Sequence, residues 1–123
     1  MTGMLDYDAA TSRRIEQTYT TRDVVEQREH VLAALALQRG ERVLDIGSGP
    51  GFLAVQMAAV VGADGHVDGI DPSESMLSLA AARDLRVGAA PVVFRRGDTE
   101  SIPLPDASVD VAVATQVLEY VAD

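Results

Sequence analysis

Three aspartates, Asp45, Asp71 and Asp98, each stand at the end of a strand-like stretch, and Gly47, Gly49 and Gly51 stand at alternate positions just after the first of them. These residue types suit a small ligand that carries hydroxyls and positive charge. A carboxylate accepts two hydrogen bonds side by side, so Asp71, about twenty residues beyond the glycines, can take both hydroxyls of a ribose. Asp98 can accept from an amino group such as that of adenine. Asp45 immediately precedes the glycines, where a carboxylate repels a pyrophosphate and attracts a cation, more strongly in a partly desolvated cleft. One such aspartate reads equally as a helix N-cap or a turn residue. Three of them at successive strand ends point to one ligand crevice.

The elements that must position these groups can be read from pattern. Val43, Leu44 and Ile46 show no polar alternation and read as a central strand buried on both faces. Glycines then allow left-handed dihedrals and close backbone approach to a ligand, and Pro50 stiffens the turn. Residues 52–61 read as a helix, so strand, glycine turn and helix form the first half of a βαβ unit, with a small-molecule site at the strand's carboxyl end. The spacing is G-x-G-x-G, and Phe52 stands where a dinucleotide-binding turn has its third small residue. Residues 66–70 predict a second strand ending at Asp71, which Pro72 biases toward extended geometry. Ser73 is a good N-cap for a helix containing Met76, Leu77, Leu79, Ala80 and Ala81. Residues 92–96 predict a third strand ending in Gly97 and Asp98, and residues 109–115 a fourth, with a helix beginning at Val117. Upstream, residues 7–17 suggest a short helix, and Thr20-Thr21-Arg22-Asp23 a capping box. Val24, Val25, Arg28, Val31, Leu32, Leu35 and Ala36 then recur at helical spacing, with Gly40 placed as the C-cap. Alternating strands and helices imply an α/β fold, a parallel sheet with helices on both faces.

Composition narrows the function classes. The 123 residues suit one domain, and 47% of them are hydrophobic, enough for a core. No apolar run approaches the ~20 residues of a membrane span. No signal-peptide pattern opens the chain, so a cytoplasmic protein is expected. The formal net charge of −9 argues against non-specific nucleic-acid binding, and all basic residues are arginine. Cysteine is absent, which removes disulfides, thiolate metal sites and cysteine nucleophiles. His30 and His66 lack partners suggesting catalysis or metal binding.

Val43-Leu44-Asp45-Ile46-Gly47-Ser48-Gly49-Pro50-Gly51 resembles the cofactor motif of class I S-adenosylmethionine-dependent methyltransferases. That cofactor carries a sulfonium and an ammonium and no phosphate. Asp71-Pro72-Ser73-Glu74-Ser75-Met76-Leu77 resembles the family's second motif. The stretch from Gly97-Asp98-Thr99 through Ile102-Pro103-Leu104-Pro105 to Val109-Asp110 resembles the third motif in the quinone- and sterol-methyltransferase-like branch. The resemblance runs from Tyr19 to Asp123. It implies a Rossmann-like, three-layer α/β/α fold with S-adenosylmethionine as cofactor, S-adenosylhomocysteine as product and a small-molecule methyl acceptor. The cofactor-binding residues it implies are Asp45, Gly47, Ser48, Gly49, Gly51, Asp71, Pro72, Met76, Gly97, Asp98, Thr99, Thr115 and Gln116, with no metal and no assigned catalytic residue. Thr115 and Gln116 would lie nearest the methyl group, and residues 1–40 would form a helical lid from which Tyr7 and Tyr19 reach over the pocket.

The family's sheet has the order 3-2-1-4-5-7-6, and this chain supplies its first four strands, in the order 3-2-1-4. The cofactor half is therefore expected to be present and the substrate half largely absent. Strand four would then be an exposed apolar edge, which predicts a homodimer or larger assembly covering it. Two other readings stand beside the enzyme: a catalytically inactive cofactor-binding or interaction module, and an NAD- or nucleotide-binding Rossmann-like domain. Gln116-Val117-Leu118-Glu119 lacks the N/D-P-P-Y/F signature of amino-directed DNA methyltransferases. Without cysteine, the cysteine-dependent cytosine-C5 and arsenite mechanisms do not fit.

Overall fold

The structure, a computed structural model, describes residues 8–98, 100–105 and 108–114. Helices α1 (Ala9–Thr18) and α2 (Arg22–Leu35) precede strand β1 (Arg42–Ile46). Helix α3 (Phe52–Val61), strand β2 (His66–Asp71), helix α4 (Glu74–Ala81), strand β3 (Val92–Arg96) and strand β4 (Val111–Val113) follow. The strands form one parallel sheet in the order β3-β2-β1-β4, as the sequence led us to expect.

Helix α3 is apolar at nearly every position, and one face of it is buried while Val60 on the other is exposed. Leu53, Ala54, Met57, Ala58 and Val61 form the core with Val43, Val67 and Val113 from three strands. Each large side chain so buried contributes roughly 1.5–3 kcal/mol. Right-handed crossovers put α3 and α4 on the same face of the sheet, and they meet closely. A Cβ on Gly51 would lie 2.8 Å from the Ala80 Cβ and 3.2 Å from Phe94.

The register sets the site. Asp45 pairs with Gly69 on one side and Val113 on the other. Because side chains alternate across a strand, Asp45 and Asp71 leave the same face at adjacent strand ends. Gly69 has no side chain for a reason: a Cβ there would fall 2.7 Å from the Phe94 ring and 3.1 Å from the Ser48 Cβ.

Three local expectations are corrected. The Thr20 and Thr21 hydroxyls do not cap α2. They donate to the Gln17 and Thr18 carbonyls at 2.6 and 3.0 Å, closing α1 instead. Helix α2 ends at Ala36 in the left-handed region, φ 47°, rather than at Gly40. Gly40 serves the next turn, where its N–H donates to the Val61 carbonyl at 2.8 Å and ties the start of β1 to the end of α3. Strand β4 spans only Val111–Val113, shorter than the expected 109–115. Just before it, Asp110 donates its N–H to the Arg42 carbonyl and accepts the Arg42 N–H on its carboxylate, each at 2.8 Å. Thr115 lies outside the described residues.

Candidate functional site: a glycine turn closed by carboxylates

Gly47, Gly49 and Gly51 all have left-handed φ, at 72°, 55° and 88°. The turn they form uses up its own donors. The N–H groups of Gly47 and Ser48 both donate to the Ile70 carbonyl, at 2.8 and 2.9 Å, and the Gly51 N–H donates to the Ser48 carbonyl at 3.1 Å. Gly49 donates to Asp71 Oδ2 at 2.9 Å, and Pro50 has no N–H to give. A phosphate-cradling loop works by presenting several free N–H groups to one anion. Among residues 47–51 no N–H is left for that purpose.

Asp71 organises the strand ends. Its Oδ1 accepts from the Ser73 N–H at 2.9 Å, so one carboxylate fastens the glycine turn to the start of α4. Ser73 then caps α4, with Oγ accepting from the Met76 N–H at 3.2 Å. Asp45 is buried at 2% exposure. Burial, and then the charge of Asp71, push its carboxyl up to about 8. The sequence led us to treat Asp45 as a standing negative charge. Burial corrects this: near neutrality in the free protein Asp45 is mostly protonated, and a cation brought beside it favours the ionised form.

The other candidates are distributed as follows. Met76 is buried at 2% exposure and Pro72 is half-buried. Gly97 continues the ladder, its N–H donating to the Asp71 carbonyl at 3.3 Å. Asp98 is exposed, and its Oδ1 accepts from the N–H groups of Glu100 and Ser101, each at 2.9 Å, as a turn residue does. Thr99, Thr115, Gln116 and Tyr7 lie outside the described residues. His66 Nε2 sits 3.2 Å from Asp68 Oδ2 at the opposite end of the strand from Asp71. Among the described residues no group of three or more histidines and acids is placed to hold a metal ion, and no helix is long and apolar enough to cross a membrane.

Three buried hydroxyls, of Ser48 in the turn, Ser12 on α1 and Ser108 before β4, have no hydrogen-bond partner among the described residues. An orphaned hydroxyl beside two carboxylates fits a polar, cationic ligand better than an apolar one. Ser48→Ala is therefore expected to leave the free protein as stable or slightly more so, and to weaken ligand binding by roughly 0.5–1.5 kcal/mol, one neutral hydrogen bond. Paired thermal melts and ligand titrations check both halves.

Sequence reasoning missed a cluster beside the turn. Arg83, just past α4, donates from Nε to the Pro50 carbonyl at 2.5 Å and pairs through Nη2 with Glu16 of α1. Its guanidinium lies 3.6 Å from the centre of the Phe52 ring, on which Tyr19 also stacks at 6.0 Å. Glu16 and Arg83 are 67 positions apart, and no local pattern relates them. Arg83 and Phe52 also line a groove of about 600 Å³ between α2, α3 and the segment after α4, with Arg28, Leu32, Val55 and Val60. It does not reach the carboxylates at the strand ends, which are absent from its lining.

Fold and site together define a class: Rossmann-like α/β domains whose first glycine turn is closed by carboxylates instead of opening on a phosphate. Residues 37–123 match the family described as "Methyltransferase domain", and the chain belongs to that family. It is 41% identical over 86 residues to an arsenite methyltransferase of Halobacterium salinarum, covering 70% of this chain and 22% of that one. It is 40% identical over 89 residues to a 2-phytyl-1,4-naphtoquinone methyltransferase of Synechococcus elongatus, covering 72% and 38%. A solved SAM-dependent methyltransferase of Aquifex aeolicus superposes with a TM-score of 0.70 at 29% identity, covering 89% of this chain and 57% of that one. The chain thus spans less than half the length of these two curated relatives.

Proposed function

We propose that this chain binds S-adenosylmethionine and forms the cofactor-holding part of a methyltransferase that acts on a small molecule. One observation carries this reading: the glycine turn spends its N–H groups internally, and the groups gathered at its rim are carboxylates. A cationic, phosphate-free nucleoside suits that arrangement, and a dinucleotide does not. The name of the Aquifex relative, SAM-dependent, supports it.

In this reading Asp71 holds the ribose. A carboxylate offers about four acceptor directions, enough to serve the turn and a diol together. Asp45 balances the positive charge, ionising as the cation arrives, and Asp98 receives the adenine amino group. Gly47, Ser48, Gly49 and Gly51 keep the backbone close, with Pro72, Met76, Gly97 and Thr99 along the adenosine and Thr115 and Gln116 toward the acceptor. The cofactor supplies an electrophilic methyl group, transferred in line to the acceptor with S-adenosylhomocysteine as product. The protein's contribution is positioning and exclusion of water. The naphthoquinone relative's name points to an organic acceptor. Arsenite capture by thiolates has no residue to use within this chain.

Thermal shift separates the readings. S-adenosylhomocysteine at a hundred times its Kd is expected to add about 2.7 kcal/mol of stability, and NAD at the same concentration none. A shift with NAD alone would support the dinucleotide reading. A shift with S-adenosylhomocysteine, without methyl transfer to any acceptor, would support an inactive cofactor-binding module.

Self-association belongs to the same proposal. Among the described residues β4 pairs only with β1, leaving its outer edge with unpaired backbone groups. Sedimentation at rising concentration is expected to show a dimer or larger assembly. A monomer at all concentrations would mean that the edge is covered within the chain.

A further inference from the structure

We propose that Arg83 is a positioning residue for the glycine turn, clamping α1 against it so that the turn takes its ligand-binding shape with α1 docked. The proposal rests on the reading above, that the turn binds S-adenosylmethionine.

One guanidinium serves three elements. Its Nε holds the Pro50 carbonyl at 2.5 Å, within the turn itself. Its Nη2 pairs with Glu16 of α1. Its flat face covers Phe52, the first residue of α3, at 3.6 Å from the ring centre. The arrangement suits arginine, which can bond in plane and stack out of plane at once. The ion pair is largely sheltered, with the Arg83 and Glu16 side chains 20% and 29% exposed. A second set of contacts acts in the same direction. Tyr19, the C-cap of α1, stacks on Phe52 with its ring tilted by only 10°. Arg28 of α2 donates to the Tyr19 carbonyl at 3.1 Å and to Gln56 of α3 at 2.9 Å. Its guanidinium lies 4.9 Å from the same Phe52 ring. Ser12, one helical turn before Glu16 and so on the same face of α1, is 2% exposed with an unpartnered hydroxyl. That face is clamped at Glu16 and carries a buried, unsatisfied hydroxyl one turn earlier.

Glu16 touches none of the residues proposed to bind the ligand, yet its bond to Arg83 links α1 to the carbonyl between Gly49 and Gly51. Removing Arg83 releases the Pro50 carbonyl and the Glu16 tether together, and removing the Glu16 charge unties α1 from the guanidinium that holds Pro50. Because coupling is reciprocal, ligand at the turn must tighten α1 by the factor that α1 tightens the ligand.

The test titrates S-adenosylhomocysteine into the wild type, Glu16→Gln, Arg83→Ala and Arg83→Lys, and follows amide exchange of residues 9–18 and 51–55 with and without it. In the free protein, Glu16→Gln and Arg83→Ala are expected to speed exchange in both segments together. Both are expected to weaken binding roughly tenfold, an ordinary coupling factor, with circular dichroism unchanged. Arg83→Lys should restore little, since an ammonium cannot hold carbonyl, carboxylate and ring at once. Ligand should slow exchange in α1 of the wild type. A merely structural pair would lower the melting temperature but leave the affinity of the folded protein and the ligand response of α1 untouched, and that result overturns the proposal. If Arg83→Ala does not fold, Glu16→Gln, which removes only a charge, decides. If the wild type binds no S-adenosylhomocysteine, the cofactor reading fails. The exchange arm then judges the clamp alone: joint loosening supports it, and loosening of α1 without residues 51–55 overturns it.

Discussion

Asp71→Ala is expected to lower the unfolding free energy by about 3–6 kcal/mol, since two charge-assisted hydrogen bonds at roughly 1.5–3 kcal/mol each are lost. The bonds are those from Gly49 and Ser73, and both donors sit in buried residues. Natural domains have about 5–15 kcal/mol in all, so the variant stands near the limit of folding. Asp71→Asn separates the structural from the binding role. Its amide oxygen keeps one backbone bond, but its NH₂ faces the other donor and its charge is gone. It is expected to fold and to bind S-adenosylhomocysteine at least tenfold more weakly, about 1.4 kcal/mol. Urea unfolding and titration measure the two effects. An unchanged unfolding midpoint in the alanine variant would show that the carboxylate does not fasten the turn to α4.

Asp45 gives the protein a pH signature. Its carboxyl, raised to about 8 by burial and by the Asp71 charge, holds a proton in the folded state that the unfolded chain releases. The folded value lies above the unfolded one, so this group's stabilisation is complete below pH 4 and fades as pH rises toward 8. The slope it contributes is at most about 1.4 kcal/mol per pH unit. Asp45→Asn, which needs no proton, is expected to flatten the fall in stability between pH 5 and 8. Melting temperatures across that range test it, and equal slopes in both proteins would refute it. Ligand binding should carry the complementary sign. A cation beside Asp45 favours ionisation, so S-adenosylmethionine should expel part of a proton at pH 7, read from binding heats in buffers of different ionisation enthalpy. The asparagine variant should expel none.

Much of this was legible in the sequence because it is written locally. The run Val43-Leu44-Asp45-Ile46 followed by alternate glycines specifies a strand and a turn within one short window. The same is true of Asp71-Pro72-Ser73, where strand end, extended residue and N-cap fall on consecutive positions. The strand order was legible through the family resemblance, since right-handed crossovers alone allow more than one order. What could not be read is what depends on distant partners. Asp45 gave no sign of its proton, because its burial comes from strands on both sides. Asp110 reads as a strand residue until its carboxylate is seen to hold Arg42. Thr20 and Thr21 suit a helix start as well as they suit a helix end, and only the geometry of α1 decides. The Glu16–Arg83 clamp has no local signature at all.

The central claim is that the glycine turn and its carboxylates hold a cationic, phosphate-free nucleoside. Calorimetric titration at pH 7 with S-adenosylmethionine, S-adenosylhomocysteine and NAD tests it most directly. Both adenosyl ligands are expected to bind saturably at one site per chain, both at least tenfold more weakly in Asp71→Asn, with no measurable heat from NAD. Folded protein that takes up NAD, or that binds neither adenosyl ligand, would contradict it.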